Sequence, residues 1–181
     1  SFDGENYTKE EKNRIKREVI SSRGELLFSK AIVLCEGITE EQALPVYFKE
    51  KFNIEPAFCG VNIIGIGGQN YKTFLSLIKN FNIKWFVFSD GEDKTIRTVR
   101  KAIRDVFGVE MQTLSNVIVL DNGEDYEWHL INSGYEEEMV QAICEHEGEP
   151  EFVNKYINTR NHTSAGRERT DQPECPTCHQ A

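Results

Sequence analysis

The residues of this sequence best suited to chemistry are carboxylates: Glu36 and Glu40, then Asp90 and Glu92, then Asp121, Glu124, Asp125 and Glu127. Each group directly follows a short apolar run, so three separate stretches of chain deliver acids to the ends of three expected strands. Hard divalent cations such as Mg2+ take oxygen ligands and keep positions for water and substrate phosphates, so carboxylates gathered round one cleft suit phosphoryl chemistry. In the run Glu36-Gly37-Ile38-Thr39-Glu40 two acids stand four residues apart across a strand-to-helix turn, where a helix amino terminus also favours an anion. Asp90-Gly91-Glu92 has the spacing for two side chains to project from a sharp turn toward one cation. Taken singly, each acid reads first as a solvated loop residue or a helix cap. The argument for a metal site is their convergence, because ligands of a parallel α/β sheet gather at the carboxyl ends of its strands.

The elements that must position these acids are legible as an alternation. Short apolar runs at 31–34, 61–66, 85–88 and 117–120 predict buried strands, the first stopped by Cys35-Glu36-Gly37 and the third by Ser89-Asp90-Gly91. Between them, helical periodicity predicts helices over 40–51, 71–81 and 94–107, and further helices follow over 135–146 and 151–159. Thr39 and Gln42 form a capping box for the first of these, with Ala43, Leu44, Tyr47 and Phe48 as its apolar stripe and Pro45 near its first turns. Phe74, Leu75, Leu77 and Ile78 turn inward on the second helix, and Ile96, Val99, Ile103 and Val106 share a face of the third. A polar helix over 8–22, opened by Thr8 with Glu11, precedes the alternation. The pattern predicts an α/β fold: a mostly parallel central sheet flanked by helices, with a helical C-terminal extension.

Composition narrows the function. A formal net charge of -9, from 21 Lys and Arg against 30 Asp and Glu, argues against a protein that coats nucleic acid, since phosphate affinity comes chiefly from basic side chains. Any such contact is local, and bound cations would change the field a phosphate meets. No stretch approaches the roughly 18 consecutive apolar residues of a membrane span, and the first residues lack a signal core, so a cytoplasmic location follows by default. The odd set Cys35, Cys59, Cys144, Cys175 and Cys178 suits reduced thiols better than disulfides. There is no GxxxxGK[ST] phosphate loop.

The run from Phe28 to Pro45, with Glu36-Gly37-Ile38-Thr39-Glu40 at its centre, resembles the opening Toprim signature of OLD-family (overcoming lysogenization defect) nucleases, the group that includes the Gabija nuclease subunit. The later segment from Leu120-Asp121 to Glu127-Trp128 is similar to that family's subsequent acidic element, and the likeness spans roughly 23–158. The resemblance implies a Rossmann-like Toprim core and a metal-dependent DNA endonuclease or nickase. It assigns Glu36, Asp90 and Glu92 as catalytic acids and Glu36, Glu40, Asp90, Glu92 and Glu127 as ligands to two Mg2+ or Mn2+ ions. One ion would activate water and the other would stabilise the departing oxygen. Glu92 departs from the usual second aspartate, with Asp93 as its competitor, and Asp125 competes with Glu127. The resemblance also implies DNA as substrate, a role in phage defence or DNA processing, a separate N-terminal ATPase region that uses ATP, and a homo-oligomer or a helicase-like partner. On this reading 1–28 is a helical connector, 29–134 the Toprim core, 135–160 the helical extension and 161–181 a polar tail. The basic residue to which such nucleases look downstream has no match here; Lys155, Arg160 and Arg167 read as surface charges.

Secondary features carry less. Lys94, Arg97, Lys101 and Arg104 fall on one helical face and could track a DNA backbone, although an ordinary wet face has the same pattern. Gly65, Gly67 and Gly68 resemble a phosphate cradle, but a bare glycine pair after a strand is usually a tight turn, and they are not read as a nucleotide site. Cys175-Pro176-Thr177-Cys178-His179 offers half of a Zn2+ site, which His162 could extend; free thiols on a polar tail are the alternative. Two other classes fit the acids at strand ends: a nuclease-inactive Toprim module for DNA docking or dimerisation, and a receiver or phosphatase domain.

Overall fold

The structure, a computed structural model, describes residues 9, 10, 13, 24–67, 70–121 and 123–162, the side chains of 158–162 excepted. Most of the leading helix expected over 8–22, its Thr8 and Glu11 pair, Gly68, the side chains of Arg160 and His162, Arg167, and the tail with Cys175 and Cys178 lie outside the described residues.

Four parallel strands form the sheet: β1 (Ala31–Cys35), β2 (Val61–Gly65), β3 (Lys84–Ser89) and β4 (Val117–Val119), in the order β2-β1-β3-β4. Helix α1 (Ile38–Phe52) links β1 to β2, α2 (Tyr71–Phe81) links β2 to β3, and α3 (Asp93–Phe107) links β3 to β4. The chain leaves β1 toward one edge of the sheet and β3 toward the other. Such a reversal opens a crevice at the carboxyl ends of the two strands flanking it. Helix α4 (Tyr126–Asn132) follows β4, and α5 (Glu136–Glu147) and α6 (Phe152–His162) come after it. The described residues divide into two compact units, one ending at Glu127 and the other beginning at Trp128.

Register explains the core. Leu34 lies between Ile64 of β2 and Val87 of β3, and these side chains meet Phe74, Leu75, Leu77 and Ile78 of α2 and Val99, Ile103 and Val106 of α3 in one cluster. Helices with a single apolar face can bury it only against such a surface. The helix expected over 71–81 forms with those bounds, and its inward set is buried as expected.

Three details differ from expectation. Helix α1 begins at Ile38, with Gly37 as its N-cap; Thr39 and Gln42 are exposed within the first turns and form no capping box. Two turns of helix already precede Pro45, so this proline removes an interior N–H rather than one that a first turn leaves idle. The third strand is half-buried, because Val33, Ile63 and Phe86 share the other sheet face, where Phe86 keeps 46% of its surface exposed and Ile118 keeps 58%. Helix α4 is an addition: its short run Tyr-Glu-Trp-His-Leu-Ile-Asn carries too little periodicity to announce a helix.

Candidate metal centre

Glu36 is the first residue beyond β1 and Asp90 the first beyond β3. These strands are hydrogen-bonded neighbours, roughly 4.8 Å apart as parallel strands are, so both acids start from the crevice of the topological switch. Glu36 Oε1 accepts a hydrogen bond from Thr95 Oγ1 at 3.1 Å. Its other oxygen, Oε2, and Asp90 Oδ1 are buried and have no partner. A buried polar atom without a partner costs about 1 to 3 kcal/mol, and more when the group is charged.

The electrostatics carry the same mark. Burial, then the carboxylates of Glu36, Glu40, Asp125 and Glu127, push the Asp90 carboxyl up to about 7. Burial also raises Glu36; the Thr95 hydroxyl opposes it, Glu40 and Glu92 add to it, and Lys94 lowers it. All three acidic segments therefore act on one locus. An all-oxygen donor set with two orphaned buried oxygens fits a hard divalent cation, whose charge would relieve both penalties. Among the described residues no three acid, histidine or cysteine side chains stand close enough together to hold an ion. The acids share a field rather than a closed cage.

Local packing explains why the acids are held there. The backbone N–H of Gly37 donates to Glu40 Oε2 at 3.1 Å, so Glu40, only 4% exposed, ties down the turn that carries Glu36. The N–H of Gly67 donates to the Glu36 carbonyl at 2.9 Å and that of Ile66 to the Cys35 carbonyl at 3.0 Å. Ile66 and Gly67 therefore tie the turn after β2 to the turn after β1, and the N–H that a phosphate cradle would need at Gly67 is already used. On the other side, Gly91 N donates to the Glu124 carbonyl at 2.7 Å, and a Cβ on Gly91 would stand 2.4 Å from the Leu120 carbonyl oxygen. Tyr126 sets the third segment: it is buried, meets Phe88 edge-on at 5.9 Å, and its hydroxyl donates to that of Tyr47 at 2.8 Å. Asp125 and Glu127 flank this anchor.

The expected residues thus divide. Glu36, Glu40, Asp125 and Glu127 act on Asp90, and Glu40 and Glu92 act on Glu36, although Glu92 is exposed and, with Asp93, Asp121 and Arg100, lines an adjoining cleft of about 800 Å3. Lys94, Arg97, Lys101 and Arg104 are all exposed on α3, as their spacing predicts. Arg104 is held by Glu110 through two hydrogen bonds of 3.0 and 2.9 Å, and Arg97 Nε donates to the Asp93 carbonyl. Among the described residues Cys35, Cys59 and Cys144 form no disulfide. Sequence reading missed Thr95 and Tyr126, and neither stands out: one is an ordinary helical threonine, the other the apolar middle of an acidic tripeptide.

The raised Asp90 gives a pH signature. Its folded value of about 7 lies above the ordinary 3.8, so the folded state holds this proton after the unfolded state has released it. Metal-free stability is expected to fall as pH rises from about 4 to 7 and then level. Saturating Mn2+ should remove that fall, since metal replaces the proton. Urea midpoints across this range check both statements, and a metal-free midpoint that climbs with pH would contradict the assignment.

A four-stranded parallel sheet flanked by helices, with acids from three segments at its switch point, defines an α/β module of the Toprim class. Residues 27–91, from shortly before β1 through Gly91, match the family model for the "Overcoming lysogenization defect protein-like, TOPRIM domain". This segment is a Toprim domain of the OLD-like type. The fold is similar to the C-terminal region of the Xanthomonas campestris pv. campestris OLD protein phased with platinum, at 26% identity and a TM-score of 0.55 over 67% of this chain and 64% of that one. The mercury-phased structure of the same region gives 24% identity and 0.54, over 65% and 63%. The chain thus spans less than two thirds of that region. A comparison with curated proteins returns no match. Among the described residues no helix is long and apolar enough to cross a membrane.

Proposed function

We propose that this chain is the metal-binding, phosphodiester-cleaving part of a DNA endonuclease or nickase. The observation that carries the reading is the pair Glu36 and Asp90, each with a buried, unpartnered oxygen, at the ends of adjacent parallel strands. Glu36 and Asp90 are the central ligands and Glu127 the ligand from the third segment, with Asp125 beside it. Glu40 contributes by fixing the Glu36 turn and by its charge. Glu92, at the mouth of the cleft, meets the substrate side of the site. Bound Mg2+ or Mn2+ would activate water and offset charge on the departing oxygen. Lys94, Arg97 and Lys101 then supply a local positive face for the DNA backbone, with Arg104 already engaged by Glu110. The core of this activity is 29–134, with 135–160 as a helical extension, and an ATPase region and a further basic residue belong to a longer protein.

The test is uptake of Mn2+ by calorimetry together with nicking of supercoiled plasmid. Wild-type chain should bind and nick, and Glu36→Ala should do neither. Equal cutting by Glu36→Ala would show the assignment wrong. The absence of a closed cage among the described acids favours one second reading, a nuclease-inactive module that docks DNA. That reading gains if the chain binds plasmid in Mn2+ without nicking it.

A further inference from the structure

Helix α3 carries two threonines that treat their hydroxyls differently. Thr98 Oγ1 donates to the Lys94 carbonyl at 2.9 Å, the back-bond to residue i−4 that a helical threonine ordinarily makes. Thr95 instead sends its hydroxyl out of the helix to Glu36 Oε1 at 3.1 Å, across 59 residues of sequence. It does so from a site only 4% exposed, where solvent competes little for the bond. The contact joins the residue that follows β1 to α3, the helix that begins at Asp93, three residues after Asp90. It also divides the Glu36 carboxylate: one oxygen is held by Thr95 and the other is left without a partner.

We propose that Thr95 is a positioning residue, its hydroxyl fixing the rotation of the Glu36 carboxylate so that Oε2 is presented to a divalent cation. This rests on the metal site proposed above. A carboxylate free to rotate would have to be ordered at the moment of binding, whereas one already held by a hydrogen bond has little freedom left to lose. The donor is a neutral hydroxyl, so it orients Glu36 without competing as a second cation.

Thr95→Val removes the hydroxyl and keeps the branched shape; Thr95→Ser keeps the hydroxyl and removes the methyl. Calorimetric titration of the 181-residue chain with Mn2+ is expected to show affinity weakened about tenfold or more in Thr95→Val, the usual scale for loss of such a supporting bond, with Thr95→Ser within about threefold of wild type. The Thr95→Ala and Thr95→Ser pair repeats the comparison at smaller volume should the valine variant fold poorly. Unfolding midpoints without metal accompany each titration, because a purely structural threonine would move those midpoints and leave affinity unchanged. Equal Mn2+ affinity in wild type and Thr95→Val overturns the role of Thr95 alone, as does equal weakening in the serine and valine variants. No uptake by the wild-type chain overturns the metal site, and the role of Thr95 with it.

Discussion

Asp90→Asn is expected to lower Mn2+-supported nicking of supercoiled plasmid roughly a thousandfold, the consequence of removing several kcal/mol of metal-borne stabilisation where about 1.4 kcal/mol is a factor of ten. The side chain keeps its shape and loses its charge, so packing is spared. What makes the substitution diagnostic is its opposite effect on the metal-free fold. Asp90 is driven up to about 7 by burial and by four neighbouring carboxylates, so at pH 8 the folded chain carries an anion it holds poorly. Asparagine mimics the protonated form. The variant should therefore match wild type near pH 4, exceed it in urea resistance at pH 8, and lose the extra stability that Mn2+ confers on wild type. Activity lost while stability is gained is the mark of a site that strains the fold. If the variant is less stable than wild type at pH 8, Asp90 is a structural residue and the metal assignment fails at its centre.

The second large effect is on folding. Gly91 is buried between the two acids of its turn, and a methyl there would lie 2.4 Å from the Leu120 carbonyl oxygen and 3.1 Å from Glu124 N. Both obstacles are backbone, part of the loop that Gly91 N and the N–H of Leu120 tie to the end of β3. Neither can rotate aside. Gly91→Ala should cost about 3 kcal/mol, at the upper end of overpacking, and should separate the second acidic segment from the third. Gly67→Ala is the comparison: its φ of +66° is unfavourable to alanine, but nothing stands within 4 Å of the added carbon, so a loss of about 1 kcal/mol is expected. Urea unfolding of the two variants measures the difference. Equal losses would mean that the close approach at Gly91 yields easily and that the two loops are not rigidly joined.

Much of this molecule is written in local pattern. Apolar runs closed by glycine turns place all four strands to within one or two residues, and the periodicity of 71–81 and of the helix ending at Phe107 gives both helices and their buried faces. The run around Glu36-Gly37-Ile38-Thr39-Glu40 is distinctive enough to indicate the Toprim fold before any coordinates. Less legible is the division of labour among the acids, because a carboxylate's role depends on which neighbours bury it. Glu40 reads as a ligand in sequence and spends an oxygen on the Gly37 N–H in the fold. Glu92 reads as the partner of Asp90 and stands outward at the head of α3.

The order of apolar and polar residues thus determined that strands and helices would alternate and that acids would follow the strands, since hydrophobic period and turn chemistry act over a few residues. Tertiary structure decided which acids would meet. The crossing from β2 to the far side of β1 makes Glu36 and Asp90 neighbours, Thr95 reaches Glu36 across that junction, and Tyr126 draws in Asp125 and Glu127 by packing on Phe88. Desolvation and mutual repulsion are sums over all groups near a point in space, and residues distant in sequence contribute to them only after the chain has folded.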